Sequence, residues 1–306
     1  MKSTKDYTKE INRVIDYIYT HIDRPLSVTE LCEQVNLSPY HFQRIFTRTI
    51  GESLAKYVAR TRLERAASLL LSDSKAPIMN IAYECGFNSV SVFCRNFKRH
   101  FGMSAETYRH TIEQNNSTNG QSKSKIETGS CIYSHYFCAR KTIKIGDKTM
   151  NCTFEIKQMP ALSIVYCRHL GAFDQMQEAF KKLMQWAYPR GLVNAPGAQL
   201  LSVYHNDPNI TEKGKLTSDA ALTIYEKVKT DGDIGQYDIA AGLYAVGRFE
   251  LAMDEFTQAW NSMFDLLKEH GCQCTNAYHY ELYLNNRDEH PENKFIVDIC
   301  IPVKRV

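Results

Sequence analysis

The sequence has no long apolar stretch. No run of apolar residues reaches the ~18 residues that a membrane span needs, and the opening MKSTKDYTKE has no apolar core of a secretion signal. Ten cysteines without such a signal are typical of reduced thiols in a cytosol. We therefore expect a cytoplasmic protein that makes no contact with membranes.

Metal-binding and catalytic patterns are also missing. Cys272 and Cys274 stand close together, but no second pair follows at ligand spacing, so we expect no metal site. The sequence offers no nucleophile beside a base at a recognisable spacing. We therefore expect no catalytic residue and no cofactor, and the protein is predicted not to be an enzyme.

Charge is distributed unevenly, although the net charge is only +3. Residues 1–112 carry 16 Lys and Arg against 11 Asp and Glu, whereas residues 150–306 carry 15 against 20. A basic part joined to an acidic part fits a polyanion binder that carries a second module. Residues 113–130 are rich in Asn, Ser, Gly, Lys and Gln, which is typical of a linker. We predict two domains, 1–112 and 152–306, with a strand-like or irregular lead-in at 131–151.

The basic part has the periodicity of helices throughout. One predicted helix begins after the candidate cap Ser38, with Pro39 at its first position. Arg can pair with guanine, Gln with adenine, and an aromatic ring can meet a thymine methyl. A surface helix with miscellaneous polar residues remains the alternative for one helix alone. The outward stripe of this helix holds four side chains suited to base edges: Tyr40, Gln43, Arg44 and Thr47.

This helix-turn-helix pattern occurs twice, at about residues 28–49 and 78–101. Residues 53–71 between the copies predict a helix about 28 Å long. Such a spacer can hold two reading helices near the ~34 Å that separates successive major-groove faces. One chain could then read two neighbouring groove segments without a dimer. With an offset of 51, Phe42, Arg44, Phe46 and Gly51 match Phe93, Arg95, Phe97 and Gly102, and the second outward stripe holds Ser91, Cys94, Arg95 and Lys98.

Residues 8–110 resemble the DNA-binding domain of the AraC/XylS family of transcription regulators. The resemblance rests on LSPYHFQRIFTRTIG, TRLERAASLL and IMNIAYECGFNSVSVFCRNFKRHFGMSAETYR, and on their spacing. It implies an all-α domain with two helix-turn-helix motifs, double-stranded operator or promoter DNA as the partner, and RNA polymerase as a further expected partner. It also implies base contacts from Tyr40, Gln43 and Arg44 in the first motif and from Arg95 in the second.

The second reading helix departs from a base-reading composition. Val90, Ser91 and Cys94 are poorly suited to base edges. We therefore predict that this helix mainly holds phosphates through Arg95, Lys98 and Arg99.

The acidic part contains another internal repeat, with an offset of 80. Each copy has the order strand, helix, strand, strand. Two such units predict an α+β domain with one antiparallel sheet, both helices on one face and a groove on the other. Arg168, Asp174, Ala179 and Gly191 match Arg248, Asp254, Ala259 and Gly271, while Phe180 matches Trp260.

A candidate ligand site follows from the alternation of the stretch YHYELY. We predict that Tyr278, Tyr280 and Leu282 face the helices. His279, Glu281 and Tyr283 are then predicted to line the groove on the other face. A carboxylate flanked by aromatic rings suits a cation or a hydrogen-bonding ligand, although an isolated Glu on a strand is more often solvent-facing.

Residues 152–306 resemble the GyrI-like effector-binding domain. The resemblance rests on YHNDP, DAALTIY, AAGLYAVGRFE, YELYLN and DICIPV. It implies a pocket carboxylate at Glu281 with Tyr283 beside it. It also makes Tyr166, Trp186, Tyr244 and Trp260 further candidates for effector contact. Relatives often have Pro-Gly-Gly where this chain has AAGLYA, which changes the loop beside Tyr244.

Together these features predict a sequence-specific DNA-binding transcription regulator whose carboxy-terminal domain binds a small cationic or aromatic effector. Two alternatives remain open at this point. The carboxy-terminal domain could bind a protein partner, or it could have weak hydrolase activity with Glu281 and a tyrosine activating water.

Overall fold

The computed structural model describes residues 7–72, 75–110, 139–145 and 148–305. Side chains are described for residues 7–72, 75–110 and 152–305. The predicted linker at 113–130 lies outside the described residues. The described residues divide into two compact units. One is drawn from Met1–Cys131 with Asp207–Thr211, and the other from Ile132–Asn206 with Glu212–Val306.

The amino-terminal unit is helical. Ser27 caps α2 by accepting a hydrogen bond from the Glu30 amide, as a serine before an apolar periodic run should. Pro39 occupies the first position of α3, where its missing N–H costs nothing. The helices are α1 (Thr8–Thr20), α2 (Val28–Glu33), α3 (Pro39–Ile50), α4 (Leu54–Ser72), α5 (Ile78–Glu84), α6 (Val90–Phe101) and α7 (residues 105–110).

Two apolar clusters share the long helix α4. Its first half, with Leu54 and Tyr57, packs against α1, α2 and α3. Its second half, with Leu63 and Leu70, packs against α5 and α6. Because each helix-turn-helix motif has its own cluster, α4 fixes the spacing of two separately packed motifs.

The carboxy-terminal unit is built on one large antiparallel sheet. Among the described residues its strand order is β1-β2-β7-β10-β9-β4-β5-β3-β6, with β8 paired to β10. The strand β1 and the start of β2 lie within residues 131–151, the predicted lead-in. The strands are β1 (Ala139–Ile145), β2 (Lys148–Met159), β3 (Leu162–Leu170), β4 (Leu200–Tyr204), β5 (Thr217–Ile224), β6 (Ile234–Ile239), β7 (Gly242–Leu251), β8 (Cys272–Cys274), β9 (His279–Tyr283) and β10 (Phe295–Arg305).

Two helices cover the same face of this sheet. The helix α8 (Gln177–Ala187) packs on residues of β3 and β5, including Val165 and Leu222. The helix α9 (Phe256–Glu269) packs on residues of β7 and β10, including Phe249 and Ile299. The central strands β4 and β9 run side by side between these two packing zones.

The predicted orientation of β9 is wrong. Glu281 and Tyr283 point toward the helices, where Trp260 of α9 contacts Glu281. Tyr280 and Leu282 belong to the cluster on the opposite face. Strand alternation separates the two sets of side chains, but it does not say which set meets the helices. Both sets are rich in aromatic rings, so hydrophobicity could not decide between them.

The face away from the helices carries a cluster of buried tyrosines and a buried ion pair. Arg168 donates two hydrogen bonds of 2.8 Å to Asp219, and Tyr237 donates a third at 3.0 Å. Burial alone would raise the pKa of Asp219, but Arg168 and His205 hold it well below its usual range.

Within the described part of the chain, no helix is both long and apolar enough to cross a bilayer.

Candidate functional site

The outward stripe of α3 is exposed as the sequence indicates. Phe42, Ile45 and Phe46 are buried on the other side of the helix. The buried stripe makes the packing contacts of α3, so packing does not account for the residue types on the exposed stripe. Tyr40 is 79% exposed. Gln43, Arg44 and Thr47 are exposed as well.

The outward stripe of α6 is also exposed. Ser91, Cys94, Arg95, Lys98 and Arg99 are exposed, while Phe93 and Phe97 are buried. Arg99 donates a 2.8 Å hydrogen bond to Asn96 one turn earlier. The cationic side chains cluster in the last turn of α6, which suits contacts with phosphates.

The sequence reasoning missed one apolar side chain on this surface. Val92 is 45% exposed in the first turn of α6. It lines a cleft that also contains Gln43 and Thr47 of α3. The helices α3 and α6 therefore border one continuous cleft.

The second candidate site centres on Glu281, whose side chain is nearly excluded from solvent at 2% exposure. The indole N–H of Trp260 donates to Oε1 at 2.6 Å. The hydroxyl of Tyr283 donates to Oε2 at 2.7 Å. Tyr204 is a further hydrogen-bond donor to the carboxylate.

Burial dominates the electrostatics of this carboxyl group. It raises the pKa of Glu281, while the hydrogen bonds from Trp260, Tyr283 and Tyr204 lower it and only partly compensate. Burial raises the pKa values of Tyr204 and Tyr283, and the charge of Glu281 raises them further. Both hydroxyls therefore stay protonated and available as donors.

Aromatic rings enclose the carboxylate on the helix side of the sheet. Tyr204 meets Trp260 edge-on at 5.5 Å between ring centroids. Phe180 of α8 lies 6.2 Å from Tyr283. Ser202 lies directly opposite Glu281 in the β4–β9 pair, and its hydroxyl is 2.9 Å from that of Tyr283.

The structure brings only some of the predicted effector residues together. Trp260 and Tyr283 bond to Glu281, whereas Tyr166 and Tyr244 lie in the cluster on the opposite sheet face. Trp186 instead donates to Asp231 and stacks with Arg190, at 4.3 Å from ring centroid to guanidinium carbon. Ser202, Tyr204 and Phe180 were not predicted as site residues. They are about 80 to 100 residues before Glu281 in the chain. Pairing of β4 with β9 brings Ser202 and Tyr204 close, and the packing of α8 on the sheet brings Phe180 close.

Among the residues that the structure describes, no three His, Cys, Asp or Glu side chains are grouped so that they could hold an ion. Donors and aromatic rings surround Glu281 instead, an arrangement that suits an organic ligand.

The two parts of the chain match two known families. Residues 31–111 match a helix-turn-helix domain. Residues 153–304 match a GyrI-like small molecule binding domain. The class is therefore a helix-turn-helix DNA-binding protein that carries a small-molecule binding domain.

Individual relatives are similar to the amino-terminal part. The multiple antibiotic resistance protein MarA of Escherichia coli is 32% identical over 107 residues, which are 35% of this chain and 84% of that protein. The lactose operon transcription activator of Staphylococcus xylosus is 30% identical over 108 residues, and the chain spans only 38% of its length.

Solved structures cover each part separately. The C-terminal domain of EcmrR is 17% identical, with a TM-score of 0.41, and covers 51% of this chain and 99% of that one. The C-terminal domain of AraT from Geobacillus stearothermophilus is 32% identical, with a TM-score of 0.32, and covers 33% of this chain and 84% of that one. The chain belongs to the AraC-type family of DNA-binding transcriptional regulators, and its carboxy-terminal half is a GyrI-like small-molecule binding domain.

Proposed function

We propose that the protein binds operator DNA sequence-specifically and that a small cationic or aromatic effector bound at Glu281 changes this activity. The observation that carries the proposal is a carboxylate of 2% exposure, placed among aromatic rings in a small-molecule binding domain. We assign it regulation and no catalysis, because its relatives are transcription regulators. RNA polymerase is the second macromolecular partner we propose, and the cytoplasm is the proposed location.

A cation is the ligand that this site favours most. An ionised carboxylate in a poorly solvated place is destabilised unless a partner compensates its charge. The three hydrogen bonds compensate only in part, since the pKa of Glu281 is still raised.

For the DNA-binding part, we propose base contacts from Tyr40, Gln43, Arg44 and Thr47, all exposed on α3. The second helix contributes a second surface, with Arg95, Lys98 and Arg99 toward phosphates and Ser91 on the same exposed stripe. Each motif packs on its own half of α4, which supports simultaneous reading of two groove segments by one chain.

We also propose the domain organisation that the composition indicates, with domains at 1–112 and 152–306 joined by a linker at 113–130. The second domain is proposed to consist of two repeats. Their equivalence is supported by two ion pairs between corresponding strands, Arg168 with Asp219 and Arg248 with Asp298. In this arrangement Ser202 and Glu281 occupy equivalent positions on β4 and β9, and they face each other directly.

The effector proposal is tested by Glu281→Gln in the full chain. The amide keeps the shape and removes the charge. Losing a charge-assisted contact should cost about 1.5–3 kcal/mol, or about 10- to 100-fold in affinity. Calorimetry should therefore show weaker binding of tetraphenylphosphonium, a lipophilic cation, with little change for neutral triphenylphosphine oxide.

The exposed Glu226 provides a matched control. Glu226→Gln makes the same chemical change on the surface and should leave both affinities unchanged. Equal losses for the cation and the neutral compound would indicate a distorted pocket. No loss for either would place Glu281 outside the site.

A further inference from the structure

We infer that Arg62 and Gly86 form a junction that fixes the separation of the two reading helices, so that Arg62 is a positioning residue for operator spacing. This inference rests on the proposed reading of two groove segments by one chain. It adds the contact through which the chain selects operators by spacing as well as by sequence. The junction joins the first apolar cluster, to which Ile22 belongs, to the turn of the second motif.

Arg62 lies between the two apolar clusters along α4. Residues of α4 in the first cluster end at Val58, and those in the second cluster begin at Leu63. Long helices bend gently, so α4 alone leaves the angle between two separately packed motifs adjustable. A further contact between the motifs is needed to fix that angle.

The guanidinium of Arg62 binds the loop that connects α1 to α2. Its Nε donates a 3.1 Å hydrogen bond to the Ile22 carbonyl, and its Nη2 donates a 2.6 Å hydrogen bond to the Arg24 carbonyl. The loop is fixed in turn, because the side chain of Arg24 pairs with Glu30 of α2. Arg62 therefore holds α4 to the first motif through two hydrogen bonds that use the planar fork of a guanidinium.

Gly86 brings the second motif to the same place. It follows α5 with a φ of +76° and precedes α6. A Cβ at this position would collide with the Ile22 carbonyl oxygen and lie 2.9 Å from Nη2 of Arg62. A glycine lets the turn approach both groups this closely. The second motif therefore contacts the same carbonyl that Arg62 binds.

The junction lies beside the gap between the reading helices. Arg62 and Gly86 line the cleft of about 550 Å³ that α3 and α6 border. Thr47 of α3 and Val92 of α6 line the same cleft. Because the cleft separates α3 from α6, a shift at the junction changes the distance between the side chains proposed to contact DNA.

The spacing of two DNA segments is a demanding geometric requirement. One inserted base pair moves the second segment by about 3.4 Å along the DNA axis and turns it by about 35° around that axis. Two reading helices held by the junction cannot follow such a change, whereas helices joined only through α4 can follow part of it. The parent protein should therefore discriminate strongly between spacings, and a variant without the junction should discriminate weakly.

The test uses the full chain and an operator selected from genomic fragments, intact or with one base pair inserted or deleted between the two protected segments. The parent should bind the altered operators at least about tenfold more weakly, as for a mismatched base pair. Arg62→Lys keeps the charge but removes the planar fork, so this difference should fall to about threefold or less. Arg65→Lys, the same change one turn later on α4, should keep the full difference.

The ratio of affinities separates positioning from stability. A variant that is only less folded loses affinity for the intact and altered operators by the same factor, so its ratio stays that of the parent. If Arg62→Lys keeps the ratio of the parent, the inference is overturned, whatever the absolute affinity.

Gly86→Ala tests the junction from the second motif and decides the question if Arg62→Lys does not fold. Gly102→Ala is the matched control, because both glycines have a φ of +76° and a Cβ on Gly102 would meet nothing within 4 Å. Gly86→Ala should weaken the discrimination or move it to another spacing, whereas Gly102→Ala should keep it. Equal ratios for the two alanine variants would contradict the inference.

The two proposals fail in different ways. A parent protein that is indifferent to the spacing would show that the two motifs do not read DNA together, and both proposals would be wrong. If the parent discriminates and both Arg62→Lys and Gly86→Ala discriminate equally well, simultaneous reading stands and only the role of the junction is wrong.

Discussion

At the scale of residues, Glu281 illustrates how a site can store unfavourable energy. Its burial raises its pKa, and its donors recover only part of the lost hydration. Asp219 is buried as well, but Arg168 neutralises it and holds its pKa low. The difference between these two carboxyl groups is a cationic partner. A cationic ligand beside Glu281 would compensate the charge of Glu281 as Arg168 compensates that of Asp219.

The reading helices give a prediction at the same scale. Arg44→Ala should cost about 1–3 kcal/mol of specific DNA binding and relax the preference at one base, if Arg44 is bidentate to guanine. Lys98→Ala should instead weaken binding about equally for all sequences and reduce the salt slope by about 1.

Binding of both variants to an operator selected from genomic fragments, and to scrambled DNA at several salt concentrations, measures the difference. An Arg44→Ala variant with unchanged operator preference would show that α3 is not the reader.

At the scale of elements, the helices were easier to predict than the faces of the strands. The period of Ile11, Val14, Ile15 and Ile18 identifies one buried face, and all four are buried in α1. Strands that are packed on both faces show no contrast between buried and exposed positions. The strand β5, for example, is buried along its whole length. Sequence could therefore place Glu281 and Tyr283 on one face of β9, but not choose that face or find Tyr204 beside them.

Two glycines that follow helices give a prediction about stability: Gly86 after α5 and Gly102 after α6. Gly86 and Gly102 both have a φ of +76°, which disfavours any other residue. A Cβ on Gly102 would meet nothing within 4 Å, whereas one on Gly86 would collide with the Ile22 carbonyl and lie 2.9 Å from Arg62. Gly102→Ala should cost about 1–2 kcal/mol, and Gly86→Ala an additional amount of about 1–3 kcal/mol for overpacking.

Urea unfolding followed by helical circular dichroism compares these two variants. Equal stabilities would mean that Gly86 is not packed against Ile22, which follows α1, and Arg62 of α4 in solution.

At the scale of the whole molecule, the proposed function joins two activities in one chain. The helical unit exposes the outward stripes of α3 and α6, and the sheet unit buries the carboxylate of Glu281. Composition already separates these activities, since the basic part precedes the acidic part. What composition could not give is the chemistry of the effector, because the groups around Glu281 come from four separate elements.

The most direct test of this account measures the affinity of the full chain for a selected operator, with and without tetraphenylphosphonium. We expect the cation to change the operator dissociation constant of the parent protein and of Glu226→Gln. We expect no change for Glu281→Gln at the same cation concentration. If the cation changes operator affinity equally in the parent and in Glu281→Gln, or changes neither while it binds at Glu281, the site does not control DNA binding and the central claim is contradicted.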